Sequence, residues 1–274
     1  MLRVFSRTAL ALAALIAGAT SALAAQKSSG DWLDRCNNDR GSNNADNARH
    51  CEVRQLTMAA PARTLRADGG RNGGVSVVGE NRRDISVEAR IEAHGDNDAE
   101  ARDLLSQIRI DTTGGSLRAE GPPSRDRRGW AVSFAIAAPR NMDLDLRAQN
   151  GGVSVTDVTG RMDLSTQNGG LHLEGVGGDV HGETQNGGLH VSLEGERWDG
   201  AGLDVRTQNG GVHMEIPTKY AAHLETGTVN GGVSIDFPVV VQGRIGRRIE
   251  TDLNGGGTRI RATTTNGGVT ILRR

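Results

Sequence analysis

Asn150-Gly151-Gly152-Val153-Ser154-Val155 is the stretch on which the fold turns. The same element, Asn-Gly-Gly followed by apolar–polar–apolar, returns at Asn72, Asn168, Asn186, Asn209, Asn230 and Asn266, with a looser copy at Asn254. From Asn150 onward the asparagines are 18, 18, 23, 21, 24 and 12 residues apart. A near-constant period of roughly 20 residues is the mark of a stacked repeat architecture. Around each copy the pattern alternates with period two. Met162 and Leu164 are apolar beside Asp163 and Ser165, and Leu203 and Val205 flank Asp204. That alternation describes strands with one buried face. Each repeat therefore reads as strand, Asn-Gly-Gly corner, strand, second corner.

Asn-Gly is also a hairpin signal, so a long antiparallel meander is the rival topology. The fixed period favours one coil per repeat, with equivalent residues stacked about 4.8 Å apart. Val153, Leu171, Leu189, Val212 and Val233 then form an apolar column, and Asn150, Asn168, Asn186, Asn209 and Asn230 an amide ladder. Stacked Asn side chains hydrogen-bond along such an axis. The glycine after each Asn is expected to supply positive φ. The expected fold is all-β, a right-handed parallel β-helix or solenoid-like repeat, with one short helix in the N-terminal part.

The section before Asn150 is less regular. Asp84 to Ala93 and Gly129 to Ala137 alternate as strands. Asn97 to Ile108 carries Ala101, Leu104, Leu105 and Ile108 at helical spacing, with Asp96 as its expected N-cap and closure of the solenoid's end as its expected role. At the extreme N-terminus Arg3 and Arg7 precede an apolar run from Ala9 to Ala19, and Ala22-Leu23-Ala24 is a small-x-small cleavage signal. This is the pattern of a secretory signal peptide, and the run is too short to span a bilayer. The division expected is 1–24 signal peptide, 25–64 disulfide-stapled segment, 65–149 first strands and capping helix, and 150–274 Asn-Gly-Gly repeats. Cleavage near Ala24 makes the protein periplasmic or secreted. In that oxidising setting the two cysteines, Cys36 and Cys51, are expected to pair.

The 274 residues carry 39 Gly but only 3 Trp, 3 Phe and 1 Tyr, and a formal net charge of −1. That balance argues against nucleic-acid binding through bulk charge. No later apolar run is long enough for an integral membrane anchor. No G-x-S-x-G, Walker A or H-E-x-x-H motif is present.

The Asn-Gly-Gly repeats behind a signal peptide, with recurrent Thr/Ala-Gln-Asn-Gly-Gly runs such as Thr184-Gln185-Asn186-Gly187-Gly188, resemble the bacterial putative-adhesin domain of unknown function. The resemblance spans about Leu65 to Arg274. It implies an extracytoplasmic β-solenoid-like fold and brings no catalytic motif.

Several side chains are candidates for binding. Four residues after each Asn stand Ser76, Ser154, His172, His190, His213, Ser234 and Thr270, all expected to face outward. His172, His190 and His213 lie on consecutive coils, as a surface metal site or a pH-sensitive polar column. No other cofactor is expected. Trp198, in an insertion where the period stretches, is the candidate surface anchor. Arg244, Arg247 and Arg248 form a basic cluster suited to an anionic glycan. Asp163 and Asp204 fall in an outward acidic column that would suit polysaccharide chemistry. The expectation is a non-enzymatic, adhesin-like module for an envelope glycan or protein. A periplasmic scaffold and a polysaccharide-active enzyme are the alternatives.

Overall fold

The computed structural model describes residues 29–38, 48–62, 64–125, 127–236 and 247–274. The expected signal peptide, 1–24, and Arg244 lie outside these residues. The described strands are β1 Ala48–Ala59, β2 Thr64–Asp68, β3 Val75–Glu80, β4 Asp84–Gly95, β5 Arg109–Asp111, β6 Ser116–Glu120 and β7 Gly129–Pro139. They continue as β8 Asp143–Ala148, β9 Val153–Thr156, β10 Thr159–Thr166, β11 Leu171–Glu174, β12 Gly177–Thr184, β13 Leu189–Ser192 and β14 Gly202–Asn209. The last are β15 Val212–Ile216, β16 Ala222–Asn230, β17 Val233–Ile235, β18 Arg248–Leu253, β19 Arg259–Asn266 and β20 Val269–Arg273.

These strands form two mixed ten-stranded sheets. One, here sheet A, runs β1-β4-β7-β3-β9-β11-β13-β15-β20-β17; the other, sheet B, runs β18-β16-β19-β14-β12-β10-β8-β2-β6-β5. Each Asn-Gly-Gly corner carries the chain from a sheet B strand into a sheet A strand. Successive coils pair in parallel and in register, Leu171 with Leu189 and Leu189 with Val212. The meander is thereby excluded for the repeat region, because hairpin-joined neighbours would run antiparallel. Among the described residues, antiparallel strand pairs occur only toward the ends, β1 with β4, β4 with β7, β5 with β6 and β16 with β18.

Alternation decides what is buried. Val153, Val155, Leu171, Leu173, Leu189 and Val191 point in from sheet A; Leu144, Leu146, Met162, Val180, Leu203 and Val205 point in from sheet B, all at most 2% exposed. Their apolar faces meet as one continuous core.

Two expectations about the coils need correction. The rungs do not stack in chain order. The final coil, β19 and β20, is inserted between β14/β15 and β16/β17. Val233 therefore pairs with Val269, not Val212. The first coil, β2 and β3, is likewise enclosed between β6/β7 and β8/β9. Asn254 is no rung: it turns the chain with φ +47° and its amide donates to the Thr218 and Tyr220 carbonyls.

The glycine after each Asn is required for a different reason than the one expected. Of the corner glycines only Gly267 has φ in the positive range. A Cβ on Gly151, Gly169, Gly187, Gly210 or Gly267 would instead lie 2.0–2.2 Å from the carbonyl oxygen of the equivalent glycine one rung away. Close backbone approach between rungs excludes any side chain there.

The helix expected at the N-terminal end is Asp98–Gln107, here α2. Its N-cap is Asn97, whose side chain accepts from the Glu100 amide, and not Asp96. It packs on β1, β4 and β7, and Leu104 joins the core. A second helix, α1, spans 29–38 and was not anticipated, since its sequence lacks a long apolar stripe. Cys36 of α1 is disulfide-bonded to Cys51 of β1. Among the described residues no helix is long and apolar enough to cross a membrane.

Candidate binding face

The outer face of sheet A is ordered in rows that cross the strands. Parallel register places Gly74, Gly152, Gly170, Gly188, Gly211 and Gly268, the second glycine of six of the seven corners, side by side. The next outward row is Ser76, Ser154, His172, His190, His213, Thr270 and Ser234. Apart from Ser234, these residues line an elongated groove of about 900 Å³.

The floor of this groove is peptide backbone. The stacking that excludes a Cβ at the first glycine is absent at several second glycines. A Cβ on Gly188, Gly211 or Gly268 would meet its nearest neighbour at 3.5, 3.4 and 3.7 Å, ordinary contact distances. The positions are exposed, yet they carry no side chain. The sequence pattern held this signal, since both glycines recur, but only the structure separates the one that must be bare from the one that merely is.

Along one wall the three imidazoles stack face to face. The His172 and His190 rings are 4.7 Å apart with planes 6° from parallel; His190 and His213 are 4.9 Å apart at 13°. Ring nitrogen lone pairs lie in the ring plane, so parallel rings aim them alongside one another and not at a common point. This arrangement does not assemble the shared zinc site considered for the column, which needs two nitrogens converging at about 2.0–2.1 Å. Partial burial, then the neighbouring His172 and His213 charges, hold the His190 pKa below its ordinary value. His172 and His213 have carboxylates within reach, Glu174 at 3.8 Å and Glu215 at 3.4 Å. The residue matching them beside His190 is Ser192.

The N-terminal end of the groove is marked by Arg90, in register with Ser133 of β7. Its guanidinium lies 5.9 Å from the centroid of Trp32 on α1 and bonds Glu88 at 2.7 Å. Glu88 is 8% exposed. Burial would raise its pKa, but hydrogen bonds from Ser29, Arg90 and Gln55 outweigh that and hold the carboxyl below its usual range. Ser29 and Trp32 belong to the segment that the disulfide ties down, so the staple and this end of the groove are one structural unit.

The asparagines form a ladder along the groove's edge. Asn150 donates to Asn72 at 2.9 Å, Asn168 to Asn150 at 2.7 Å, Asn186 to Asn168 at 2.8 Å and Asn209 to Asn186 at 2.8 Å. It continues through Asn266, which donates to Asn209 at 2.7 Å, to Asn230, which donates to Asn266 at 2.8 Å. Behind it runs a row not singled out from the sequence. Thr166, Thr184, Thr207 and Thr264 are buried, and each hydroxyl donates at 2.7 Å to the first-glycine carbonyl of the adjoining rung. The Thr in the Thr-Gln-Asn-Gly-Gly run was the available signal.

Other candidates fare differently. Trp198 is 5% exposed and its indole N–H donates to the Gly178 carbonyl at 2.9 Å, so it closes a corner and is not a surface anchor. Its insertion folds back because Gly200 and Gly178 pack backbone to backbone. Arg247 and Arg248 are exposed. Arg247 is engaged with the Val229 carbonyl at 2.6 Å, and Arg248 lines a separate recess of about 750 Å³ on sheet B. Neither borders the sheet A groove. Asp145, Asp163, His181 and Asp204 do form one row on sheet B, with Arg147, Arg161 and Arg261 as ion-pair partners of its acids.

Among solved structures, the chain is similar to a putative cell adhesion protein from Clostridium sporogenes, with 11% identity and a TM-score of 0.42, over 83% of this chain and 100% of that one. It is also similar to a putative adhesin from Bacteroides fragilis, with 11% identity and a TM-score of 0.31 over 81% and 97%. A putative adhesin from Parabacteroides merdae matches at 8% identity and a TM-score of 0.35 over 81% and 96%. No curated protein matches. The sequence model of the family described as Toastrack DUF4097 matches residues 83–272, and the chain belongs to that family.

Proposed function

We propose that this is an exported, non-enzymatic, adhesin-like binding module whose sheet A groove receives a linear glycan of the cell envelope. The carrying observation is the row of second glycines. Three of them have room for a Cβ and none carries one, which leaves a backbone trough beside a row of hydroxyls and imidazoles. A polymer of repeating units suits this face, because a hydroxyl or an imidazole recurs at every rung, about 4.8 Å apart. Flat solenoid surfaces serve extended ligands in general. Export to the periplasm or beyond is supported by the leader sequence and by the Cys36–Cys51 bond, which reducing compartments disfavour.

The test is retention of the mature protein on immobilised envelope polysaccharides, compared with Gly188→Leu and Gly211→Leu variants. Their side chains would fill the trough without entering the core. Selective loss of retention in folded variants is the expected result. Equal retention by wild type and variants would remove the groove from the reading, and no retention by any fraction would favour the scaffold alternative.

A further inference from the structure

The outermost strand of sheet B, β18, pairs antiparallel with β16. Its register sets His223 directly opposite Asp252, and Glu225 directly opposite Glu250. Like charges facing each other across a strand pair are destabilising. The cations from β19 reach only Glu225 and only loosely: Arg259 Nη1 is 4.0 Å and Arg261 Nε 3.8 Å from it, and Arg261 also serves Asp204 at 3.6 Å.

His223 completes the group. Its Nδ1 is 2.7 Å from Asp252 Oδ1, which leaves Nε2 facing Glu250 at 3.4 Å and Glu225 at 4.0 Å. One ligand atom from each of His223, Glu225 and Glu250 lies within 4.8 Å of the others. A ring N–H given to a carboxylate, with the opposite nitrogen turned toward further carboxylates, is the way metal-bound histidines are oriented. All four residues stand on paired strands, and the Glu225 side chain is only 15% exposed. The opposed glutamates and the imidazole that Asp252 orients toward them together favour a cation at this place.

We propose that His223 Nε2, Glu225 and Glu250 bind one divalent transition-metal ion of the zinc class, with Asp252 positioning the imidazole. One nitrogen and two carboxylates suit zinc or manganese, whereas calcium takes six to eight oxygens. Water would complete the coordination. The ion would neutralise the Glu225–Glu250 pair and fasten the edge strand β18 to β16. This site is on the sheet opposite the groove and stands whether or not the groove binds glycan.

The experiment is calorimetric titration of the metal-free mature protein with zinc chloride, with thermal unfolding followed in parallel. One saturable site and a raised Tm are expected. His223→Ala and Glu250→Gln should each weaken zinc binding about 10–100-fold, and Asp252→Asn about tenfold. A variant with His172, His190 and His213 all changed to Ser should keep wild-type affinity. Because Glu250 is exposed, Glu250→Gln remains informative if His223→Ala fails to fold. No saturable zinc binding by wild type would overturn the proposal. So would unchanged affinity in Glu250→Gln, loss of binding in the triple His variant, or preference for calcium.

Discussion

Asn230 donates its side-chain amide to Asn266 at 2.8 Å, although 36 residues separate them in the chain and Asn209 is the preceding Asn-Gly-Gly residue. The last coil has entered the stack between two coils that precede it. Asn266 therefore has both its neighbours in place: it donates to Asn209 at 2.7 Å and accepts from Asn230. Asn266→Ala removes both bonds, and a net loss of about 1–2 kcal/mol is expected from two such bonds. Asn72→Ala removes one ladder bond and should cost about half as much. Urea unfolding of the two variants against wild type measures the difference, and a larger cost at Asn72 would contradict the ladder order.

The two glycines of one corner should respond in opposite ways. A Cβ at Gly187 would sit 2.0 Å from the Gly169 carbonyl oxygen, and the rungs would have to separate. Gly187→Ala is expected to cost about 3 kcal/mol. At Gly188 the nearest atom would be 3.5 Å away and φ is not in the positive range. Gly188→Ala should be neutral, or stabilising by up to about 1 kcal/mol through the unfolded chain. Thermal melts of both variants decide it.

Thr184 is 4% exposed, and its hydroxyl bonds the Gly169 carbonyl at 2.7 Å. Valine has nearly the same shape but no donor. Thr184→Val should therefore destabilise by about 1–3 kcal/mol, while Thr184→Ser should recover much of the loss. Chemical denaturation of the pair separates the hydrogen bond from packing.

The stacked imidazoles carry a pH dependence with a definite sign. The folded protein resists protonation of His190, whose pKa lies below the ordinary 6.5. The unfolded chain binds that proton more readily. The contribution of His190 is thus intact above the ordinary value and is lost as pH falls through it toward the folded value. Between about pH 7.5 and about pH 5, wild type should lose more stability than His190→Ser does. Tm measured across that range checks the prediction, and identical profiles would count against a lowered His190 pKa.

Much of the rung was legible beforehand because its causes are local. Leu203 and Val205 around Asp204 already state which face is buried, and the Asp84 and Gly129 strands follow from the same alternation. Trp198 was misread because exposure of an inserted loop depends on what it folds against, here the bare backbone at Gly178. The trough is invisible in the sequence for a similar reason. Gly187 and Gly188 are identical in sequence, and only the distance to the next rung tells them apart.

The repeating unit is written in the amino-acid sequence: its two strands, its corner, the inward side chains and the ladder residue. Hydrophobic alternation and turn chemistry act over a few residues, so they are complete within each copy. The order of the units was decided only by the tertiary structure. Every rung offers neighbours the same hydrogen-bonding edge and the same Asn, so no local pattern records which rung comes next. Only in the assembled core are β19 and β20 seen beside β14 and β15. There Ile260 meets Leu203 in register on one sheet, and Val269 meets Val212 on the other.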